Sequence, residues 1–101
     1  MTEVSKWVLL YESADDVLEK AGPHFPAHLA RLQEFHRRGE LLMVGTFADP
    51  QRDGSMSIFA SREAAEEFVA EDPFRLNGVV RGWRLLEWDE TPIAAEAPAA
   101  S

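Results

Sequence analysis

Phe25-Pro-Ala-His-Leu-Ala-Arg-Leu-Gln-Glu-Phe-His36, followed by Gly39-Glu-Leu-Leu-Met-Val-Gly45, reads as one amphipathic helix and the strand it feeds. Proline is tolerated in a first helical turn, whose N–H groups have no partners, so the helix starts at Pro23 or Pro26. It runs to about Arg38, where Gly39 provides the stop. At 100° per residue Phe25, Leu29, Leu32 and His36 share one apolar stripe, with His28 and Phe35 at its edge. Ala27, Glu34, Arg37 and Arg38 fall on the solvent side. The strand spans Leu41 to Phe47, and Gly45 inside it costs stability, which predicts a bulge or a close approach by another group.

Working outward, Lys6-Trp-Val-Leu-Leu-Tyr11 is a short apolar run without polar alternation, the pattern of a strand covered on both faces. Glu12 to Gly22 is a polar connection in which Ser13 or Asp15 can cap a turn of helix over Asp16 to Lys20. Beyond the central stretch, Ser55 to Ala60 is a third strand. The Asp-Pro and Asp-Gly pairs of Ala48 to Gly54 are turn chemistry and make a hairpin. Ser61 caps a second helix, Arg62 to about Glu71, with Ala64, Ala65, Phe68 and Val69 facing inward. Asp72, preceding Pro73, leaves helical geometry. After a loop to Gly78, the run Val79 to Trp88 is a last strand, with Val79, Arg81, Trp83, Leu85 and Glu87 on one side. One domain is expected over residues 1–90, followed by a disordered tail over 91–101 with little to bury.

A chain of 101 residues, 46% hydrophobic, holds one core. No apolar run reaches the roughly 18 residues of a membrane span, and Met1 to Lys6 has neither the charged start nor the apolar middle of a signal peptide. The absence of cysteine excludes disulfides and a thiolate nucleophile, which fits a reducing compartment, with cytoplasm the expectation. A net charge of −8 argues against nucleic acid or anionic membranes as partners.

The order strand, helix, strand, strand, helix, strand is that of a ferredoxin-like α+β domain, βαββαβ, with a four-stranded antiparallel sheet carrying both helices on one face. The other face has apolar groups but no cover, so the expectation is a homodimer joined through the sheet faces. The topology also brings His28, near the start of one helix, and Asp72, just past the end of the other, to the same end of the sheet. Tyr11-Glu12 and the Asp49 to Gly54 turn belong to that end.

Pro26-Ala-His28-Leu-Ala-Arg31-Leu, then Gly39-Glu-Leu-Leu, Gly45, and Glu71-Asp72-Pro73-Phe74 with Gly78-Val79 resemble the YCII-related (YciI-like) proteins, over roughly residues 5 to 88. The resemblance implies a dimeric α+β barrel and an active-site pair, carried over as His28 and Asp72. Some relatives look like lyases or dehalogenating enzymes acting on hydroxylated rings, and others act as accessory proteins. The chain departs from many members after Gly45, where Thr46-Phe47 and a compact hairpin replace a proline and a longer loop.

A histidine with a carboxylate works as an acid–base unit because the carboxylate fixes the imidazole tautomer while histidine titrates near neutral pH. The bland alternative is a helix-edge histidine bonded to a loop carboxylate. Arg31, Tyr11 and Gly45 are the candidate substrate contacts, with Arg81 and the tryptophans weaker ones. The serines lack the context of a hydrolase nucleophile. His24 and His28 have a spacing that can hold a metal, but no third ligand is marked, so neither metal nor cofactor is expected. His36 suits a bond to a helix-end carbonyl. Two readings follow: a cofactor-free lyase or isomerase acting on a small, hydroxylated cyclic substrate, or a non-catalytic ligand-binding or accessory dimer.

Overall fold

The computed structural model describes residues 4–93. The strands are β1 (Val4–Ser13), β2 (Leu41–Thr46), β3 (Ser55–Phe59) and β4 (Val80–Glu90). The helices are α1 (Val17–Ala21), α2 (Phe25–Arg37), α3 (Pro50–Asp53), α4 (Arg62–Ala70) and α5 (Pro73–Leu76), with a 3-10 turn over Gly22–His24 leading into α2. The sheet runs in the order β2-β3-β1-β4 and every neighbouring pair is antiparallel, the ferredoxin-like α+β arrangement that the element order called for.

Side-chain alternation divides the sheet into two faces. On β1, Leu9 stands opposite Ser57 and Leu85, and Tyr11 opposite Ser55 and Trp83; these form the helix-bearing face. Leu9, Tyr11 and Phe59 there meet Phe35 from α2 and Ala64, Ala65, Phe68 and Val69 from α4 in one buried core. The two small alanines let α4 lie close to the sheet, and Phe35 packs edge-on against Phe68 with ring centres 5.3 Å apart. The opposite face carries Val8, Leu10, Met56, Ile58, Leu86 and Trp88 with no element of the described residues above it, and Leu86 and Trp88 are 44% and 48% exposed.

Helix signals are confirmed where chemistry is local. The Ser61 hydroxyl accepts from the Ala64 N–H at 3.1 Å, as a cap should, and the four predicted inward residues of α4 are all buried. Several details differ. α2 is rotated relative to its apolar stripe: His28 and Phe35 are the buried residues, while Phe25 and Leu29 are 49% and 38% exposed and His36 is exposed too. The rotation follows from Phe35, whose ring fills the space between Phe59 and Phe68. The bulge in β2 falls at Leu42, between the pairs Leu41–Phe59 and Met43–Ile58, and not at Gly45, which pairs regularly with Met56.

The hairpin between β2 and β3 holds α3, capped by Asp49, and the loop after Asp72 holds α5; these single turns are too short for periodicity to mark. Neither Ser13 nor Asp15 caps α1; its N-cap is Asp16, held at φ 55°. Strand β1 extends past both expected ends, whereas β4 begins one residue later than expected, at Val80, and runs on to Glu90. The expected disordered tail lies outside the described residues from position 94 onward.

Candidate active site

Asp72 is the hinge between α4 and α5. Its backbone is extended, as its place before Pro73 requires, and its side chain turns back to accept from the Phe74 N–H at 3.3 Å. The side chain is fully buried. A carboxylate taken out of water needs hydrogen bonds to each oxygen, and Asp72 has them. Oδ1 lies 2.7 Å from His28 Nδ1, and Oδ2 accepts from the Tyr11 hydroxyl at 2.5 Å. Because an ionised carboxylate only accepts, Nδ1 of His28 carries the proton and donates.

The imidazole is held on three sides. It stacks on Phe74 with ring centres 3.7 Å apart and planes within 6°, lies tilted against Phe25 and meets Phe68 edge-on. His28 sits in the first turn of α2, so the helix axis and Phe74 together set its orientation. The other ring nitrogen, Nε2, has no hydrogen-bond partner among the described residues and is not sealed from solvent. With Nδ1–H committed to Asp72, Nε2 presents a lone pair, the arrangement a general base needs.

Tyr11 arrives from the end of β1. Burial, above all, together with the adjacent Asp72 carboxylate and its hydrogen bond, pushes the phenol far above its usual range, so Tyr11 serves as a donor and not as a base. Its backbone is set by Gly54, which has φ +74° and a backbone so close that an added Cβ would lie 1.9 Å from the Tyr11 carbonyl oxygen. The Asp-Gly pair marked a turn in the sequence, but nothing local in it pointed to this contact.

Beside the pair is a cavity of about 200 Å³, lined chiefly by Tyr11, Val17, Phe25, Phe74, Val79 and Val80, with Ser13, Thr46 and Ser55 adding hydroxyls. Tyr11, Phe25 and Phe74 thus wall the cavity and flank the pair, while His28 and Asp72 themselves lie behind that wall and do not line it. Its roof is laced: the Ser13 hydroxyl donates to the Pro50 carbonyl, and Gln51 bonds both Ala14 O and Val17 N. A larger, more open depression runs between α2 and the edge of β2, lined by Leu29, His36, Met43 and neighbours; it contains none of the three hydrogen-bonded residues.

The remaining candidates are placed elsewhere. Arg31 donates to the carbonyls of Glu67 and Phe68 at 2.7 and 3.2 Å and lies over the rings of Phe35 and Phe68; it is not on the cavity wall. Gly45 falls on the sheet face opposite the helices, across from Met56. Arg81 pairs with Glu12 in solvent, and His36 bonds the Leu41 carbonyl at 3.0 Å. Trp7 packs against the core beneath Arg62, and neither Trp83 nor Trp88 touches the cavity.

The YCII-related domain matches residues 5–89 of the chain. Protein YciI of Escherichia coli O6:H1 is 36% identical over 83 residues, covering 72% of this chain and 85% of that one, and Protein YciI of Shigella flexneri matches to the same extent. Among solved structures, a 5-chloro-2-hydroxyhydroquinone dehydrochlorinase, TftG, from Burkholderia phenoliruptrix AC1100 in complex with 2,5-dihydroxybenzoquinone superposes with a TM-score of 0.66 at 21% identity. It covers 82% of this chain and 92% of that one. An antibiotic biosynthesis monooxygenase superposes with a TM-score of 0.51 at 14% identity, over 87% and 99% of the two chains. At such identities the two structures speak for the fold alone, whereas the domain match and the YciI relatives speak for descent: the chain belongs to the YCII-related domain family.

Proposed function

We propose that the protein is a cofactor-independent enzyme in which His28 transfers a proton on a small, hydroxylated cyclic substrate and Asp72 orients and balances it. The observation that carries this reading is the buried 2.7 Å bond between His28 Nδ1 and Asp72 Oδ1, in a pair that shares Tyr11, Phe25 and Phe74 with the wall of a neighbouring apolar cavity. The cavity's size suits a single ring, and its aromatic walls with a few hydroxyls suit a planar ring bearing oxygen substituents.

Lyase or isomerase chemistry fits, because proton transfer alone completes it. In an elimination from the ring's keto tautomer, Nε2 takes a hydroxyl proton, a carbonyl forms as the halide departs from the saturated ring carbon with its bonding pair, and Asp72 stabilises the imidazolium until it releases the proton. No oxidant enters the balance. The dehydrochlorinase with the similar fold acts, by its name, on 5-chloro-2-hydroxyhydroquinone, and that supports halogenated hydroxyquinols as the first substrates to try, with plain hydroxyquinols as ligands that bind without a leaving group to lose. We place the working form in the cytoplasm as a homodimer joined through the sheet faces that carry Leu86 and Trp88.

Turnover of a hydroxyquinol panel, followed by halide release and quinone absorbance, together with calorimetric binding, tests the reading. His28→Gln is expected to lose about 100-fold or more in kcat while retaining binding. Binding without turnover by the unmodified protein on every candidate overturns the enzyme and leaves a ligand-binding or accessory dimer.

A further inference from the structure

An α-helix ends with four carbonyls that have no partner within the helix, and their exposed dipoles give that end partial negative charge. The end of α4 points toward a buried carboxylate, Asp72, two residues beyond it. That is an unfavourable place for an anion. All four carbonyls are nevertheless bonded, and to two side chains only. Arg31 of α2 takes Glu67 O at 2.7 Å and Phe68 O at 3.2 Å. Arg75 of α5 takes Val69 O at 2.6 Å and Ala70 O at 2.7 Å.

We propose that Arg31 and Arg75 are positioning residues, a two-guanidinium clamp that closes the last turn of α4 and holds Asp72 in register with His28. Each guanidinium presents a fork of N–H groups, so each fixes two successive carbonyls at once, which a point-like ammonium does less rigidly. The clamp joins three helices around the pair: α2 carries His28 and Arg31, α4 leads into Asp72, and α5 carries Arg75 and the stacking Phe74. The two positive charges also offset the helix end and Asp72, and both act on the Tyr11 phenol against the carboxylate. The charged groups that act on the Tyr11–Asp72 contact are Arg31 from α2 and Arg75 from α5, while His28 itself meets Asp72 and the uncharged Phe25, Phe68 and Phe74.

This inference rests on His28 and Asp72 being the acid–base pair, and the test separates the two. The tautomer of His28 and amide exchange in α4 are followed by NMR in the full chain, in Arg75→Gln, Arg75→Lys, Arg31→Gln and Asp72→Asn. Each glutamine variant opens one fork of the clamp, so the Nδ1–H tautomer fraction is expected to fall as Asp72 loses its register. Arg75→Lys keeps the charge but not the fork, so amide exchange in the last turn of α4 should accelerate. Arg75→Lys also covers the case in which a glutamine variant does not fold. Unchanged His28 behaviour in the folded glutamine variants, or unchanged exchange in Arg75→Lys, overturns the clamp. If Asp72→Asn leaves the His28 tautomer unaltered, it is the His28–Asp72 assignment that falls.

Discussion

The Tyr11 hydroxyl donates to Asp72 Oδ2 at 2.5 Å, on the oxygen that His28 does not use. The two donors approach opposite oxygens of one carboxylate, so Tyr11 decides the rotation at which Asp72 meets the imidazole. Removing it leaves a buried oxygen with no partner. Tyr11→Phe is expected to cost about 1–3 kcal/mol in stability, read from urea unfolding, since the ring still fills its place in the core. Asp72→Asn is expected to do more damage to function, because an amide can turn an NH₂ toward His28 and favour the wrong tautomer.

The same contact has a pH signature. Tyr11 is the one tyrosine in the chain, so phenolate absorbance near 295 nm reports on it alone. Burial and Asp72 raise its folded-state pKa, so the unfolded chain releases this proton first. The contribution to stability is therefore complete below about pH 10, where an unfolded tyrosine titrates. Above that it declines by about 1.4 kcal/mol per pH unit until the folded phenol ionises. Phenolate should appear together with loss of far-UV circular dichroism, not before it. Reversible ionisation of the folded protein near pH 10 would falsify the buried Tyr11–Asp72 bond.

Much of this arrangement was legible in the sequence, and the residues show why. His28 and Asp72 could be placed at one end of the sheet because strand and helix direction alternate, and direction is all that topology needs. What one dimension does not carry is rotation and partnership. Arg31 lies one turn from His28 and looks free to meet an anion; its actual partners, the carbonyls of Glu67 and Phe68, are more than thirty residues away. The buried face of α2 lies one residue position away from its apolar stripe because Phe35 has to fit between Phe59 and Phe68. Gly45 and Gly54 were equally visible, yet only the fold shows which backbone has no room.

That difference between the glycines is measurable. At Gly54 a Cβ would collide with the Tyr11 carbonyl, and φ +74° with ψ −142° is a conformation that only glycine adopts readily. Gly54→Ala should therefore cost more than about 3 kcal/mol or prevent folding altogether. At Gly45 a Cβ meets nothing within 4 Å in the single chain. Gly45→Ala should leave chain stability within about 0.5 kcal/mol. Thermal unfolding of the two purified variants compares them directly, and equal losses would contradict the close approach at Gly54.

The uncovered sheet face gives the last expectation. Val8, Leu10, Met56 and Ile58 form its middle, and Leu86 and Trp88 stand half exposed toward the β4 edge. Monomeric proteins seldom leave so continuous an apolar surface in water, and a two-fold pairing of identical faces is the simplest cover. Leu86→Glu places a charge on that face without touching the core around Phe35, Phe59 and Phe68. In light scattering the unmodified protein should have twice the chain mass and the variant the mass of one chain. Both should keep the same circular dichroism, because the substitution lies on the far side of the sheet from the helices. A monomeric unmodified protein at micromolar concentration would remove the pairing. A dimeric Leu86→Glu would move the contact to another surface, with the exposed edge of β2 at Met43 and Val44 the next to probe.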